Sequence, residues 1–244
     1  MSRTSSIVLL TTLLLLVGGC ASMKPGNLEA VSFQSEPEAF ERAGNVYLLR
    51  GWIGIFSTGI NDLTDKLNES GVRAHVYQDD QWRALARKLA EEAAASPEDV
   101  REPLVLVGHS YGADDVIRIA RRLEEHGVVI DLLVTLDPVT PPEVPGNVRA
   151  CLNLYQSGLL DVLPILRGVP VDGSQAGEMA NVNIREDRRD LLEPGTNHFN
   201  IEKSERVHAE IVATVLRACP PRQTWALKRH ESREILAVGV VEGQ

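Results

Sequence analysis

The segment Gly108-His109-Ser110-Tyr111-Gly112 sets a hydroxyl between two glycines, each two positions from it. A serine hydroxyl attacks a carbonyl only when a base takes its proton and a carboxylate orients that base. The five-residue string alone is weak, because a chain of this length carries one by chance roughly one time in ten. Its context is stronger. The apolar run Leu104 to Val107 predicts a strand buried on both faces, and Ala113 to His126 predicts a helix stopped by Gly127. A serine between them lies on a sharp turn. Gly108 and Gly112 are then needed because larger side chains would crowd the neighbouring strand and helix, and Ser110 itself is expected in a strained backbone conformation. The helix N-terminus offers unpaired N–H groups, that of Tyr111 first, and a positive dipole end to a developing oxyanion.

Where a serine sits on such a turn, the acid and then the histidine follow it in the chain. Of the six histidines, His126, His198, His208 and His230 come after Ser110. His126 ends a helix, His208 falls inside one and His230 lies in the charged tail. His198, in the loop Pro194-Gly195-Thr196-Asn197-His198-Phe199, precedes the last predicted helix and can reach the C-terminal edge of a sheet. Two residues compete as the acid: Asp137, where Pro138 ends a strand, and Asp161, after the following strand. Asp137 is favoured and Asp161 stays open. The second oxyanion donor is expected from Leu49-Arg50-Gly51-Trp52-Ile53-Gly54, with the Trp52 N–H as the choice; Trp52, Ile53, Ile55 and Phe56 also bring apolar area for an acyl or hydrocarbon group. Asp114 and Asp115 read as acids complementing a helix N-terminus. If Asp114 points inward, it is expected to bond the loop that carries His198.

The elements that must position these residues alternate. Strands are predicted at Val46 to Leu49, Val72 to Tyr77, Leu104 to Val107, Val128 to Leu136 and Val148 to Tyr155, with a weak one at Val182 to Ile184. Helices are predicted at Asp62 to Ser70, Gln81 to Ala95, Ala113 to His126 and Glu202 to Arg217, and Ile235 to Val241 is a candidate edge strand. That order points to an α/β fold, a mostly parallel central sheet with helices on both faces.

The turn, the later Asp-Pro and the late histidine resemble the α/β-hydrolase superfamily, especially compact lipase, esterase and thioesterase members, over 45–218. The strand-Asp-Pro pattern at Asp137 is similar to the acid site of pancreatic-type lipases, whereas Asp161 holds the position more usual in the superfamily. The resemblance implies a minimal α/β-hydrolase fold, and because the stretch between Asp137 and His198 is short on apolar helix pattern, no clear lid is expected. It further implies a serine hydrolase in which Ser110 attacks an ester or thioester carbonyl, His198 shuttles the proton and Asp137 holds the imidazole. Neither metal nor organic cofactor is implied, and small to medium acyl substrates fit better than emulsified triglyceride. A peptidase or acyltransferase on the same triad, and an inactive envelope binding protein, are the alternatives.

With 244 residues, 43% hydrophobic and 24% charged, the chain suits one catalytic domain, and a net charge of -9 argues against nucleic acid as a partner. The N-terminus has Arg3, an apolar run from Ile7 to Val17 and small residues after it, too short to span a bilayer; this is a signal-peptide pattern. Val17-Gly18-Gly19-Cys20 resembles a bacterial lipoprotein box, which implies lipidation at Cys20 and membrane attachment through it. Ala21 rather than Asp then favours the outer membrane, on the periplasmic side, in a Gram-negative source; simple secretion is the alternative. The expected organisation is a signal peptide over 1–19, a tether over 20–44, the catalytic domain over 45–219 and a C-terminal tail over 220–244. Cys151 and Cys219 are an even pair in an oxidising space, available for a disulfide or standing as two buried thiols. Nothing in the sequence speaks to oligomeric state.

Overall fold

Three largely apolar runs and three mixed ones pair into a six-stranded, wholly parallel sheet in the order β2-β1-β3-β4-β5-β6. The computed structural model describes residues 24–36, 38–51, 57–157 and 168–230. The strands are β1 (Asn45–Leu49), β2 (Arg73–Tyr77), β3 (Leu104–His109), β4 (Leu132–Leu136), β5 (Ala150–Tyr155) and β6 (Glu178–Asn183). The main helices are α1 (Gly59–Glu69), α2 (Trp82–Ala95), α3 (Tyr111–Glu124) and α4 (Glu205–Ala218). Alternate residues of the central strands serve opposite faces. Leu49, Leu106 and Leu133 pack with α2 and α3, while Leu48, Val107 and Val134 pack with α1 and α4. Burial on both faces explains why β1, β3 and β4 read as continuous apolar runs.

Differences from the sequence reading have local causes. The apolar run at Val128 becomes strand only from Leu132, because Gly127 at φ 65° turns the chain out of α3 and the Val128 N–H donates to the Leu123 carbonyl. Ile130 makes a single bridge to Val148. β6 starts at Glu178, earlier than the weak candidate at Val182, and its exposed edge position explains its poor apolar content. Residues 27–35, expected within a tether, instead lie against the domain: Val31 and Phe33 join the core beneath α2, and Tyr47 Oη donates to the Ser32 carbonyl. Residues 222–230 of the expected tail are helical, and the Arg222 guanidinium reaches Glu102 Oε1 at 2.7 Å. The disulfide option is corrected: Cys151 and Cys219 are free, buried thiols, and the sheet separates them, Cys151 facing the α2–α3 core and Cys219 the α1–α4 core. Cys20, Asp161 and the 235–241 strand candidate lie outside the described residues, as does 158–167 of the stretch between Asp137 and His198 on which a lid would be judged.

Candidate active site

The turn after β3 is built by close approach. A Cβ on Gly108 would overlap the Gly112 carbonyl, and one on Gly112 would overlap the carbonyls of Leu49 and Arg50, so both positions exclude any side chain. Ser110 sits between them at φ 58° and ψ −126°, the strained conformation expected of it. The sheet holds it there, since its N–H donates to the Leu136 carbonyl at 2.9 Å and so continues the β3–β4 ladder one step past the strand. Serine at a helix N-cap ordinarily bonds the first turn through its hydroxyl. Here it makes no such bond, and Oγ is left to meet His198 Nε2 at 2.9 Å.

Asp137 follows β4 as Ser110 follows β3. Its N–H donates to the Leu154 carbonyl at 2.9 Å, and it too is held at a positive φ, 48°. Its carboxylate is fully buried. Oδ2 lies 3.3 Å from His198 Nδ1 and accepts from Gln156 Nε2 at 3.2 Å, while Oδ1 accepts the Gln156 N–H at 2.7 Å. Arg185 orients that amide by donating to Gln156 Oε1, and it also donates to the Thr196 carbonyl in the loop that carries His198. Gly168 closes the site from above, for a Cβ there would overlap Asp137 Oδ1. The segment around Gly168 is held by a polar ladder that runs from the sheet interior to its edge: Thr135 Oγ1 donates to Asn153 Oδ1, Asn153 Nδ2 to the Val169 carbonyl, and the Val171 N–H to Asn181 Oδ1.

His198 stands in a loop of tight turns between β6 and α4, with Gly195 at φ 83° and Asn197 Oδ1 accepting the Phe199 N–H. The structure therefore brings Ser110, His198 and Asp137 into one hydrogen-bonded line at the C-terminal edge of the sheet. Tyr111 opens α3, and among the described residues nothing accepts a hydrogen bond from its N–H. Trp52, with Ile53, Ile55 and Phe56, lies outside the described residues. Asp114 does point inward, but it bonds a different loop from the one expected: Oδ1 accepts the Val139 N–H and Oδ2 accepts from Thr140 N and Oγ1, bracing the chain just past Asp137-Pro138. Burial raises its pKa, with those bonds opposing. Asp115 pairs with Arg118 at 2.6 Å, and burial still pushes its carboxyl up to about 6. Among the described residues no group of three or more His, Cys, Asp or Glu side chains is arranged to hold a metal.

Three residues at the site were not singled out by sequence reasoning. Gln156 carries no motif, and its only signal is its place just beyond β5. Phe199, beside a histidine that was singled out, is 49% exposed with its ring edge-on to the His198 ring at 5.5 Å. His109 precedes Ser110 and so fell outside a search for a downstream base. It is buried with its ring 5.4 Å from that of His198.

A parallel sheet flanked by helices on both faces, with a strained serine on the turn after a central strand, is the α/β-hydrolase fold. No family model and no curated protein matches the chain. Among solved structures it is similar to Est1E from Butyrivibrio proteoclasticus, with 14% identity over 75% of this chain and 90% of that one and a TM-score of 0.45. It is also similar to the Vlm2 thioesterase domain, with 9% identity over 78% and 97% of the two chains and a TM-score of 0.42. With YbtT, a type II thioesterase of yersiniabactin biosynthesis, the likeness is 19% identity over 46% of this chain and 47% of that one, less than half of its length, with a TM-score of 0.30.

Proposed function

We propose that the protein is a serine hydrolase that cleaves carboxylic ester or thioester bonds of small to medium acyl substrates. The observation that carries this reading is the line from Ser110 Oγ to His198 Nε2 and from His198 Nδ1 to Asp137 Oδ2. In the reaction His198 Nε2 takes the Ser110 proton as Oγ bonds to the substrate carbonyl carbon. Asp137 stabilises the imidazolium that forms, and the N–H groups of Tyr111 and Trp52 receive the oxyanion. His198 returns the proton to the leaving alcohol or thiol, and water then releases the acid by the same steps in reverse order. No metal or cofactor enters this chemistry. The exposed Phe199 ring beside His198 supports an apolar acyl or leaving group.

The proposal includes attachment to a membrane of the cell envelope through a lipid on Cys20, with residues 27–35 folded against the domain rather than spanning a gap. The test combines a fluorophosphonate probe with p-nitrophenyl butyrate. Wild type is expected to label and turn over, and Ser110→Ala and His198→Ala to lose both while melting cooperatively. Turnover that persists in Ser110→Ala would sink the reading.

A further inference from the structure

His109 takes no part in the proton transfers above, yet both nitrogens of its buried ring are engaged. Nε2 lies 3.1 Å from the main-chain carbonyl of His198, and Nδ1 lies 2.8 Å from Ser57 Oγ. A carbonyl can only accept, so Nε2 carries the proton; Nδ1 is then bare and accepts from the Ser57 hydroxyl. Ser57 Oγ in turn accepts the Gly51 N–H at 3.0 Å. The result is a chain of one direction, from Gly51 N–H to Ser57, from Ser57 O–H to His109, and from His109 N–H to the His198 carbonyl. It ties together the loop after β1, the turn that carries Ser110 and the loop that carries His198.

We propose that His109 is a positioning residue for the reaction, setting the His198 main chain and the Gly51 loop in register with Ser110; this rests on the hydrolase reading. Its peptide is fixed to that of Ser110, so a rigid two-ended ring transmits the position of the strained turn to both loops. The bond falls on the carbonyl of the very residue whose ring must stay in reach of Ser110 Oγ. A displacement of about 1 Å at such a site costs on the order of 100-fold in rate. The chain also commits the Gly51 N–H to Ser57 and removes it from the oxyanion donors. Neutrality matters as well, because a proton on Nδ1 would face Ser57 and would set a second charge beside His198 just as that ring becomes an imidazolium. Burial, with the neighbouring His198 adding to it, holds His109 down to about 3.

Three substitutions separate the two arms. His109→Phe keeps the ring volume and loses both bonds, His109→Gln sets an amide N–H where Nε2 lies, and Ser57→Ala cuts only the Gly51 arm. With p-nitrophenyl butyrate, His109→Phe is expected to lower kcat about 100-fold with KM unchanged. His109→Gln is expected to recover most of that loss, and Ser57→Ala to fall between the two while still melting cooperatively. Wild-type kcat in folded His109→Phe, or a loss that only tracks the folded fraction, would overturn the proposal. If His109→Phe does not fold, an unchanged kcat in both His109→Gln and Ser57→Ala overturns it, and the graded loss supports it. Histidine 15N spectra supply a readout free of turnover: His109 is expected as the neutral Nε2–H tautomer from about pH 5 to about pH 8. Titration or the other tautomer in that range removes the bridge. A wild-type protein that the fluorophosphonate does not label overturns the hydrolase reading instead, and the spectra still decide whether the bridge exists.

Discussion

Asp137 is held from four directions: its N–H bonds the sheet, Gln156 donates twice to its carboxylate, Gly168 presses on it, and His198 Nδ1 faces Oδ2. Such a carboxylate fixes the tautomer of the imidazole rather than taking a proton from it. Asp137→Asn is therefore expected to preserve the fold and to lower kcat by about 10^4-fold, a loss of the size that wrong-tautomer variants of such triads show. Asp161→Asn is expected to leave kcat at the wild-type value, and steady-state kinetics on the two variants separates the two acids. How much of the site was legible depended on what each residue needs from its neighbours in sequence. Ser110 was legible because the steric demand for Gly108 and Gly112 is written within two residues of it. The place of Asp137 at the end of β4 was legible through Pro138. Gln156 and His109 were not, because their roles arise from loops that only the folded sheet brings together.

At the scale of elements, the central strands and helices follow their apolar patterns closely; the late start of β4 comes from the turn at Gly127, and the other differences fall where burial is partial. β6 is an edge strand whose Glu178 and Ala180 are exposed and whose Asn181 and Asn183 are engaged in polar bonds, so no apolar pattern announces it. Residues 27–35 look like linker because only Val31, Phe33 and Ser35 are buried, too few to set a period. What fastens that segment is a polar clasp. Glu102, just before β3, accepts from Ser35 Oγ and the Gly44 N–H through Oε2 and pairs with Arg222 through Oε1. Arg222 also donates to the Phe40 carbonyl and to Ser35 Oγ. Three distant stretches thus share one nearly buried ion pair. Breaking it from one side leaves a desolvated charge, so Glu102→Ala is expected to lose about 3 kcal/mol, read by urea unfolding, whereas the exposed pair Arg87–Glu91 contributes little.

Across the whole molecule, buried ionisable groups set how stability varies with pH. Glu202 is fully buried, neither carboxylate oxygen has a partner at full hydrogen-bond geometry among the described residues, and burial pushes it up from 4.5 to about 7, against the smaller pulls of Lys203 and the nearby Gly59 N–H. The folded chain thus holds this proton more tightly than the unfolded chain does. The stability tied to it is full below about pH 4.5 and is lost as pH rises through about 7. Glu202→Gln is expected to raise the melting temperature relative to wild type at pH 8, with the difference vanishing near pH 5. An equal shift at both values would contradict this account. His75, His109 and His208, all lowered by burial, act in the opposite sense, losing stability as pH falls through 6.5, which makes the difference between the two proteins the clean measure. The two backbone outliers among the described residues that are not glycine are Ser110 and Asp137. Each conformation costs about 1 kcal/mol or more that glycine would avoid. Glycine at either position would therefore relax the backbone, but only by removing the hydroxyl or the carboxylate that the proposed reaction needs, so local strain and the proposed chemistry fall on the same two residues.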